Sequence, residues 1–100
     1  MKTLPARRVF EAAASYRVHV TQAGHQYNFV PHTHRGFCEL VYVREGCFDE
    51  VINGRHFVQA EGQLTLIREH DVHTLRGAGF TFINTAFRSS WWRELARLWD

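Results

Sequence analysis

The stretch PHTHRGFCEL, residues 31–40, combines side chains that could bind a ligand or a metal ion. His32 and His34 are one residue apart, and Glu39 lies within the otherwise apolar run FCELVYV. Imidazole and carboxylate groups coordinate metals and hydrogen-bond to polar molecules. Charged side chains seldom enter a protein interior unless something pairs with them or binds them. The segment therefore indicates a polar site inside the fold.

The spacing of these residues determines which of them share a face. Side chains alternate between the two faces of a strand, so residues of equal parity point the same way. If Glu39 points inward, so do its apolar neighbours of the same parity, which are Phe37, Val41 and Val43. His32 and His34 also agree in parity. An acid and two imidazoles are thus expected to converge in one interior.

His73 is the candidate for a further ligand, since its strand would place Leu75 on the same inner face. Three neutral imidazoles and one carboxylate form a mixed nitrogen and oxygen site suited to Zn, Mn, Fe, Ni or Co. A second interpretation stays open: the same groups form a metal-free pocket that hydrogen-bonds to the hydroxyls of a ligand. In that pocket Phe37 and Phe82 would stack on a sugar ring. No catalytic residue is assigned, because no acid/base pair is found beyond these candidates.

The other histidines are interpreted differently. We predict that His19, His25 and His56 are surface or hairpin residues. His70 is interpreted as a loop residue, with a role as replacement ligand as the alternative.

Short strand-like runs separated by turn signals extend from about residue 16 to residue 87. In the first run, YRVHVTQA, the residues Tyr16, Val18 and Val20 alternate with polar positions, the period of a half-buried strand. The pair Asn53–Gly54 separates two such runs and predicts a type I′ hairpin. Strands at this spacing predict an antiparallel all-β sandwich or barrel.

The two ends of the chain lack this pattern. LPARRVFEAAASY, near the amino terminus, is compatible with a short helix or a loose arm. SSWWRELARLWD, residues 89–100, has the spacing of an amphipathic helix, with Ser89 or Ser90 as its N-cap. The helix is expected to continue in a longer native chain. Its apolar stripe should pack on the barrel or form part of a two-fold interface; the stripe consists of Trp91, Trp92, Leu95, Leu98 and Trp99.

Composition narrows the class of protein. One hundred residues suffice for a single domain, and 45% hydrophobic with 22% charged residues is typical of a globular chain. The eleven arginines and one lysine are dispersed along the sequence, so this 100-residue segment is not expected to bind DNA itself. No signal peptide or apolar run of membrane-spanning length is visible, and two cysteines form no framework. We therefore expect a cytoplasmic protein with reduced thiols.

The spacing of the candidate ligands resembles the two motifs of the cupin superfamily. Residues 32–46 match the first motif: H-x-H, four residues, E, six residues and G. Residues 62–77 keep the glycine-to-histidine spacing of the second, although Arg68 and His70 replace its proline and glycine. The resemblance implies an all-β, double-stranded β-helix (jelly-roll) barrel over residues 16–87 with a carboxy-terminal α-helix, in one domain. It also implies a metal-ligand set of His32, His34, Glu39 and His73.

A narrower resemblance rests on the run from residue 37 to residue 87. An EL-x-x-V-x-x-G strand, an ING hairpin, a G-x-L-x-L-I segment and a histidine are similar to the amino-terminal domain of AraC-type transcription regulators. Regulators of chitobiose and cellobiose use are especially similar. The resemblance implies a dimerising sensor for a small-molecule effector, such as a sugar or related metabolite. DNA would be bound only through a carboxy-terminal helix-turn-helix half outside these residues. The alternative is a small metal-dependent cupin enzyme, an isomerase or a dioxygenase.

Overall fold

In the computed structural model of this chain, residues 2–6, 16–25 and 27–98 are described. They form strands in close succession, followed by one helix. The elements are β1 Lys2–Pro5, β2 Tyr16–Ala23, β3 Tyr27–Arg35, β4 Phe37–Glu45, β5 Cys47–Ile52, β6 Arg55–Ala60, β7 Leu64–Ile67, β8 His73–Gly77, β9 Phe80–Arg88 and α1 Ser89–Arg97. The predicted all-β class with a terminal helix is confirmed.

The strands form two sheets. A five-stranded sheet has the order β1-β3-β8-β5-β6, and a four-stranded sheet has the order β2-β9-β4-β7. Strand β1 pairs with β3 in parallel, whereas β3 with β8 and β4 with β9 are antiparallel pairs. Because β3 and β4 are consecutive in the chain but lie in different sheets, the chain crosses between the sheets at Gly36. Side chains of both strands can therefore meet in the space between the sheets.

Apolar side chains fill much of that space. The main cluster of buried residues comprises Ala23, Val41, Val43, Phe48, Ile67, Leu75, Phe80 and Phe82. A smaller cluster contains Phe37 and Ala86. Leu75 and Phe82 of the first cluster and Phe37 of the second line one interior cavity. The candidate site thus lies where the two clusters meet.

Two turns carry special backbone conformations. Asn53 and Gly54 have φ angles of 50° and 80°, so both central residues of the β5–β6 turn are left-handed, as a type I′ hairpin requires. That prediction is confirmed. His70 has a φ angle of 71°, the region that glycine favours. The residue that replaces the motif glycine therefore retains the backbone conformation of glycine.

The apolar face of β2 lies outward, contrary to the sequence-based expectation. Tyr16, Val18 and Val20 are 60%, 54% and 53% exposed. The alternate positions His19 and Thr21 line the interior cavity instead. A period of two shows that the two faces of a strand differ, but it does not say which face is inside. Here the polar face borders a polar cavity, although Arg17 and His19 remain exposed and Thr21 is only partly buried.

Only the two ends of the segment LPARRVFEAAASY are described, and its first two residues belong to a strand. Residues Lys2–Pro5 form β1 and pair in register with β3, with Leu4 opposite His34. Leu4 lines the interior cavity. The rest of that segment, residues 7–15, lies outside the described residues.

Helix α1 begins at Ser89, one residue earlier than it would if Ser89 were its N-cap. Arg88 occupies the N-cap position and makes no side-chain cap hydrogen bond, so the predicted serine cap is wrong. Instead the backbone N–H of Ser89 donates to the carbonyl of Gly36 at 3.0 Å, which anchors the helix to the β3–β4 turn. Among the described elements, no helix is long and apolar enough to cross a membrane.

The apolar stripe of α1 packs only in part. Trp91 and Trp92 contact the ring of Phe87, with ring centroids 5.8 and 5.9 Å apart. Both indoles remain substantially exposed, at 44% and 36%, and Leu98 is 77% exposed. Trp99 lies outside the described residues. The stripe therefore packs on the barrel only in part, and an apolar surface remains beside the barrel.

A glycine substitution at the β4–β5 turn is expected to be strongly destabilising. Gly46 has a φ angle of 75°, and a Cβ added there would overlap the carbonyl oxygen of Gly79 and approach the Cα of Phe80 to 3.1 Å. Gly46→Ala should lower the free energy of unfolding by about 3 kcal/mol, which combines backbone strain with displaced neighbours. Gly54→Ala is the control, because its φ angle is 80° but nothing lies within 4 Å. Urea denaturation showing equal losses for both would contradict the packing argument.

Candidate functional site

The structure brings the predicted ligand set together. Strand β3 supplies His32 and His34, β4 supplies Glu39 and β8 supplies His73. All four are buried, with exposed fractions of 1% to 7%. One ligand atom from each lies within 4.8 Å of the others. The four side chains, called the His–Glu cluster below, converge between the sheets as their parity predicted.

Short polar contacts join the members of the His–Glu cluster. The Nε2 atom of His34 lies 2.7 Å from Oε1 of Glu39. The Nε2 atom of His73 lies 3.3 Å from Nε2 of His34 and 3.7 Å from the same carboxylate oxygen. All three imidazoles are therefore within one small volume, and the acid lies beside two of them.

Hydrogen bonds on the outer side of two rings fix their orientation. Nδ1–H of His32 donates to the carbonyl of Val30 at 2.9 Å, and Nδ1–H of His73 donates to Oε2 of Glu50 at 3.0 Å. Each bond leaves the Nε2 lone pair of that ring directed to the cluster. The ring of His34 is instead stacked on Phe37 at 4.5 Å, and its buried Nδ1 has no hydrogen-bond partner among the described residues.

Electrostatics set the protonation of the cluster. Burial, followed by the nearby imidazole of His73, lowers the pKa of His32 from 6.5 to about 4. For Glu39, burial acts to raise the pKa, but the hydrogen bond and charge of His34, with a hydrogen bond from Asn84, hold it below its ordinary value. At neutral pH the cluster therefore combines a neutral imidazole with an ionised carboxylate.

The donor set fits a divalent transition-metal ion. Imidazole binds a metal only as the neutral ring, and a carboxylate offsets the charge of the cation. The outer hydrogen bonds of His32 and His73 match the arrangement in which a ligating histidine donates its other N–H to a carbonyl or a carboxylate. Zn, Mn, Fe, Ni and Co all accept such ligands.

A cavity of about 210 Å³ opens onto the His–Glu cluster. Phe37 and Phe82, the two aromatic residues predicted to line the site, both border it. One face of the Phe37 ring is already occupied by His34. An adjoining space of about 280 Å³ shares Glu39 and Asn84 with this cavity and adds Arg17 at its wall. The site therefore has an inner chamber at the His–Glu cluster and an outer one bordered by Arg17.

Sequence reasoning did not assign Thr21, Asn84 or Glu50 to the site. The side-chain N–H of Asn84 donates to Oε2 of Glu39, while its Oδ1 is buried without a partner among the described residues. Parity was an available signal for Asn84 and Glu50. Asn84 has the same parity as the buried Phe82 and Ala86, and Glu50 has the same parity as the buried Phe48. Both therefore occupy the inner face of an otherwise apolar strand.

The remaining histidines lie away from the cluster or at its rim. His70 is 71% exposed in side chain and lies in a loop, as the first interpretation had it. His56 is exposed and pairs with Asp49 at 3.0 Å, and His25 is exposed. His19 is also exposed, but it borders the interior cavity.

A larger hollow of about 440 Å³ lies against β3, β5 and β8. Its polar lining includes Asp49, His56 and Arg76, and none of these three side chains is buried. A binding site typically has a few convergent polar groups in an apolar setting. The smaller cavity beside the His–Glu cluster meets that description better.

Acid should destabilise the metal-free protein through His32. Its folded pKa is lowered to about 4 from 6.5, so between these values the unfolded chain binds a proton that the folded chain does not. Stability therefore falls as the pH drops, by about 1.4 kcal/mol per unit between pH 6.5 and 5. In EDTA, His32→Gln should flatten this dependence, measured by urea denaturation at each pH. The stability of the variant at pH 7.5 controls for other effects of the substitution. If the slope of the unfolding free energy against pH were the same in the variant, His32 would not be its source.

The chain is similar in fold to several solved structures. The chain is similar to KdgF from a Halomonas species, with 16% identity, a TM-score of 0.69, and 74% of this chain and 69% of that chain covered. A cupin protein from Bacteroides fragilis has 18% identity and a TM-score of 0.67 over 78% of this chain and 70% of that chain. A predicted oxalate decarboxylase from Thermotoga maritima has 16% identity and a TM-score of 0.60, over 73% of this chain and 64% of that chain. The fold is thus a cupin jelly roll.

Residues 15–99 match the family model of the AraC-like ligand binding domain. The match covers most of the chain, so the chain belongs to that family. The resemblance to cupin sensor domains of AraC type is confirmed. No curated protein matches the sequence.

Proposed function

We propose that this domain senses a small polyhydroxylated effector, a sugar or a related metabolite, for an AraC-type transcription regulator. Membership of the ligand-binding family supports a sensing role. The observation that carries the proposal is the His–Glu cluster itself, in which four buried polar side chains from distant strands meet at a cavity. Burying four polar side chains is costly even when they pair with one another, so their convergence at a cavity favours a ligand that adds further partners.

The polar atoms beside the cavity are mostly acceptors. The Nε2 lone pairs of His32 and His73 and the carboxylate of Glu39 all face the cluster. Asn84 adds an Oδ1 that is buried and unpaired within the described part of the chain. A buried acceptor left without a partner costs about 1–3 kcal/mol, which a ligand hydroxyl would offset. This surplus of acceptors favours a ligand with several O–H or N–H donors.

The size of the cavity limits its occupant. About 210 Å³ is below the ~300–1,000 Å³ typical of pockets for drug-sized ligands. The inner chamber suits one sugar ring or a small acid. A second ring or a charged substituent would extend into the outer chamber beside His19 and Arg17.

A divalent metal ion would be held by the four members of the His–Glu cluster, His32, His34, Glu39 and His73. When bound, it would supply a Lewis-acidic centre for hydroxyl or carboxylate oxygens of the effector. Outer hydrogen bonds would orient the ligands: the backbone carbonyl of Val30 and the carboxylate of Glu50 hold two of the imidazoles, and the side chain of Asn84 holds the carboxylate of Glu39. The polyol pocket without metal uses the same residues as direct hydrogen-bond partners.

A thermal-shift screen with monosaccharides and disaccharides, including cellobiose and chitobiose, tests the proposal with and without Zn²⁺. A ligand present at 100 times its Kd stabilises by about 2.7 kcal/mol, which raises the Tm by about 10 °C or more in a domain of this size. Asn84→Leu should abolish the shift, whereas Thr85→Val, the next residue of β9, should retain it. The absence of a shift with any saccharide or metabolite would contradict the sensing role.

We also propose that the domain forms a homodimer and acts on DNA through another part of the regulator. An apolar row crosses the outer face of the four-stranded sheet in register, from Val20 through Ile83 and Tyr42 to Leu64. Three of these side chains are more than 40% exposed, and Trp91 adds a further apolar surface. Exposed apolar surface of this extent is typical of an interface. Sedimentation velocity that shows only monomer at all concentrations would contradict dimerisation.

A metal-dependent cupin enzyme, an isomerase or dioxygenase, is the second candidate. The three buried imidazoles and one carboxylate favour it, since this donor set also serves catalytic metals. Elemental analysis of protein purified without added metal separates the candidates. Stoichiometric iron or manganese together with turnover of a substrate would favour the enzyme; effector binding without turnover would favour the sensor.

A further inference from the structure

We propose that Glu50 is a positioning residue that holds His73 in the Nδ1–H tautomer, so that the Nε2 lone pair of His73 is presented to the ligand site. The inference deepens the proposed function and rests on it for the binding role of His73. Glu50 does not line the cavity, and among the members of the His–Glu cluster its hydrogen bond is to His73. It acts through one imidazole.

Glu50 is the most deeply buried acid of the described residues, with an exposed fraction of 0%. It lies on β5, which pairs with β8, the strand of His73. Its Oε2 accepts a hydrogen bond from Nδ1 of His73 at 3.0 Å. The direction of this bond decides which nitrogen of His73 carries the proton.

Two further residues satisfy the other carboxylate oxygen of Glu50. The side-chain N–H of Gln59 donates to Oε1 at 3.2 Å, and Gln59 in turn accepts from the hydroxyl of Thr65 at 2.8 Å. Gln59 is itself 5% exposed. The hydroxyl of Thr65 sets the amide of Gln59 with its N–H toward Glu50, and an ionised carboxylate accepts at both of its oxygens. His73 must then supply the proton of their shared bond, from Nδ1.

The opposite side of the His73 ring agrees with this tautomer. Its Nε2 lies 3.3 Å from Nε2 of His34, whose N–H also faces Glu39 at 2.7 Å. A proton on Nε2 of His73 would confront the N–H of His34, whereas a lone pair there does not oppose it. Both sides of the ring therefore favour the same assignment, through different residues.

The cost of burying an acid supports a role for Glu50. A buried carboxylate is costly even when paired, and replacing buried polar groups with apolar ones of similar size is often neutral or stabilising. Glu50 shares its strand face with Phe48, so an apolar residue would suit its surroundings. Packing alone does not account for an acid here, but the orientation of His73 does.

The test reads the tautomer directly, by long-range ¹H–¹⁵N correlation spectra of protein with labelled histidine, without metal or ligand. Wild type should show Nδ1–H at His73, and Glu50→Met should show Nε2–H or a mixture. Glu50→Gln keeps an acceptor oxygen and should retain Nδ1–H. Glu61→Met is the matched control at an exposed turn. Nε2–H at His73 in wild type, or Nδ1–H retained in folded Glu50→Met, would overturn the proposal.

Zn²⁺ calorimetry supplies the second readout. Loss of an outer hydrogen-bond partner of a ligating histidine typically lowers metal affinity about 10–100-fold, and we expect that loss for Glu50→Met. An unchanged Zn²⁺ affinity in Glu50→Met would overturn the link between tautomer and binding. The tautomer spectra need no bound molecule, so failure of the saccharide screen would contradict the proposed function while leaving the tautomer assignment intact.

Discussion

Replacing Glu39 by glutamine weakens Zn²⁺ binding by about 100-fold or more, if the His–Glu cluster is a metal site. Glu39 supplies the only negative charge among the four clustered residues, so its loss removes the charge that offsets the cation. The effect should exceed the roughly 10–100-fold typical of residues that act only through a ligand. Isothermal titration calorimetry at pH 7.5 measures it.

Glu45→Gln is the matched control for this experiment. Glu45 lies on the same strand, β4, but its side chain is exposed. It should bind Zn²⁺ as wild type does. If both variants retained wild-type affinity, Zn²⁺ would bind elsewhere; if wild type bound none, the metal-free polyol pocket would be favoured. Glu39→Gln should then reduce the saccharide-induced thermal shift instead.

Phe37→Ala is the substitution with the largest expected effect on stability. Phe37 is 1% exposed, belongs to the smaller apolar cluster and stacks on His34. Truncating a buried phenylalanine costs about 3–5 kcal/mol, because apolar contacts are lost and a cavity remains. For a domain of this size each kcal/mol lowers the Tm by about 4–8 °C, so differential scanning calorimetry should show a large drop.

Two further variants calibrate that result. Phe37→Leu keeps most of the apolar volume and should cost about 1 kcal/mol. Phe57→Ala removes the same atoms from a side chain that is 41% exposed, and should also cost about 1 kcal/mol. Equal losses at positions 37 and 57 would show that Phe37 does not support the site as described.

Much of the fold followed from local patterns. Parity along β4 predicted that Glu39 points inward with Phe37, Val41 and Val43, and all four are buried. The Asn53–Gly54 turn followed from its backbone requirement alone. Its strand position made His73 a candidate ligand, and the cupin motif spacing supported its contact with His32 and His34, because no local rule predicts contact between residues about 40 positions apart.

The rest could not be predicted from local patterns for physical reasons. On β2 the alternation of residue types did not produce a half-buried strand, because residues 16–20 are all exposed and the cavity lies beside His19 and Thr21. Glu50 and Asn84 have inward parity, but their roles depend on which side chains lie opposite them, which only the tertiary structure shows. The β1 strand gains its hydrogen bonds from β3, and its own sequence carries little strand signal.

The central claim is that the effector binds inside the barrel at the His–Glu cluster. The most direct test is a titration with the best saccharide from the thermal screen, followed in histidine ¹H–¹³C NMR spectra. The signals of His32, His34 and His73 should shift and saturate together at one equivalent of ligand, while those of His25, His56 and His70 stay in place. Shifts confined to the exposed histidines, with the three buried ones unchanged, would contradict it.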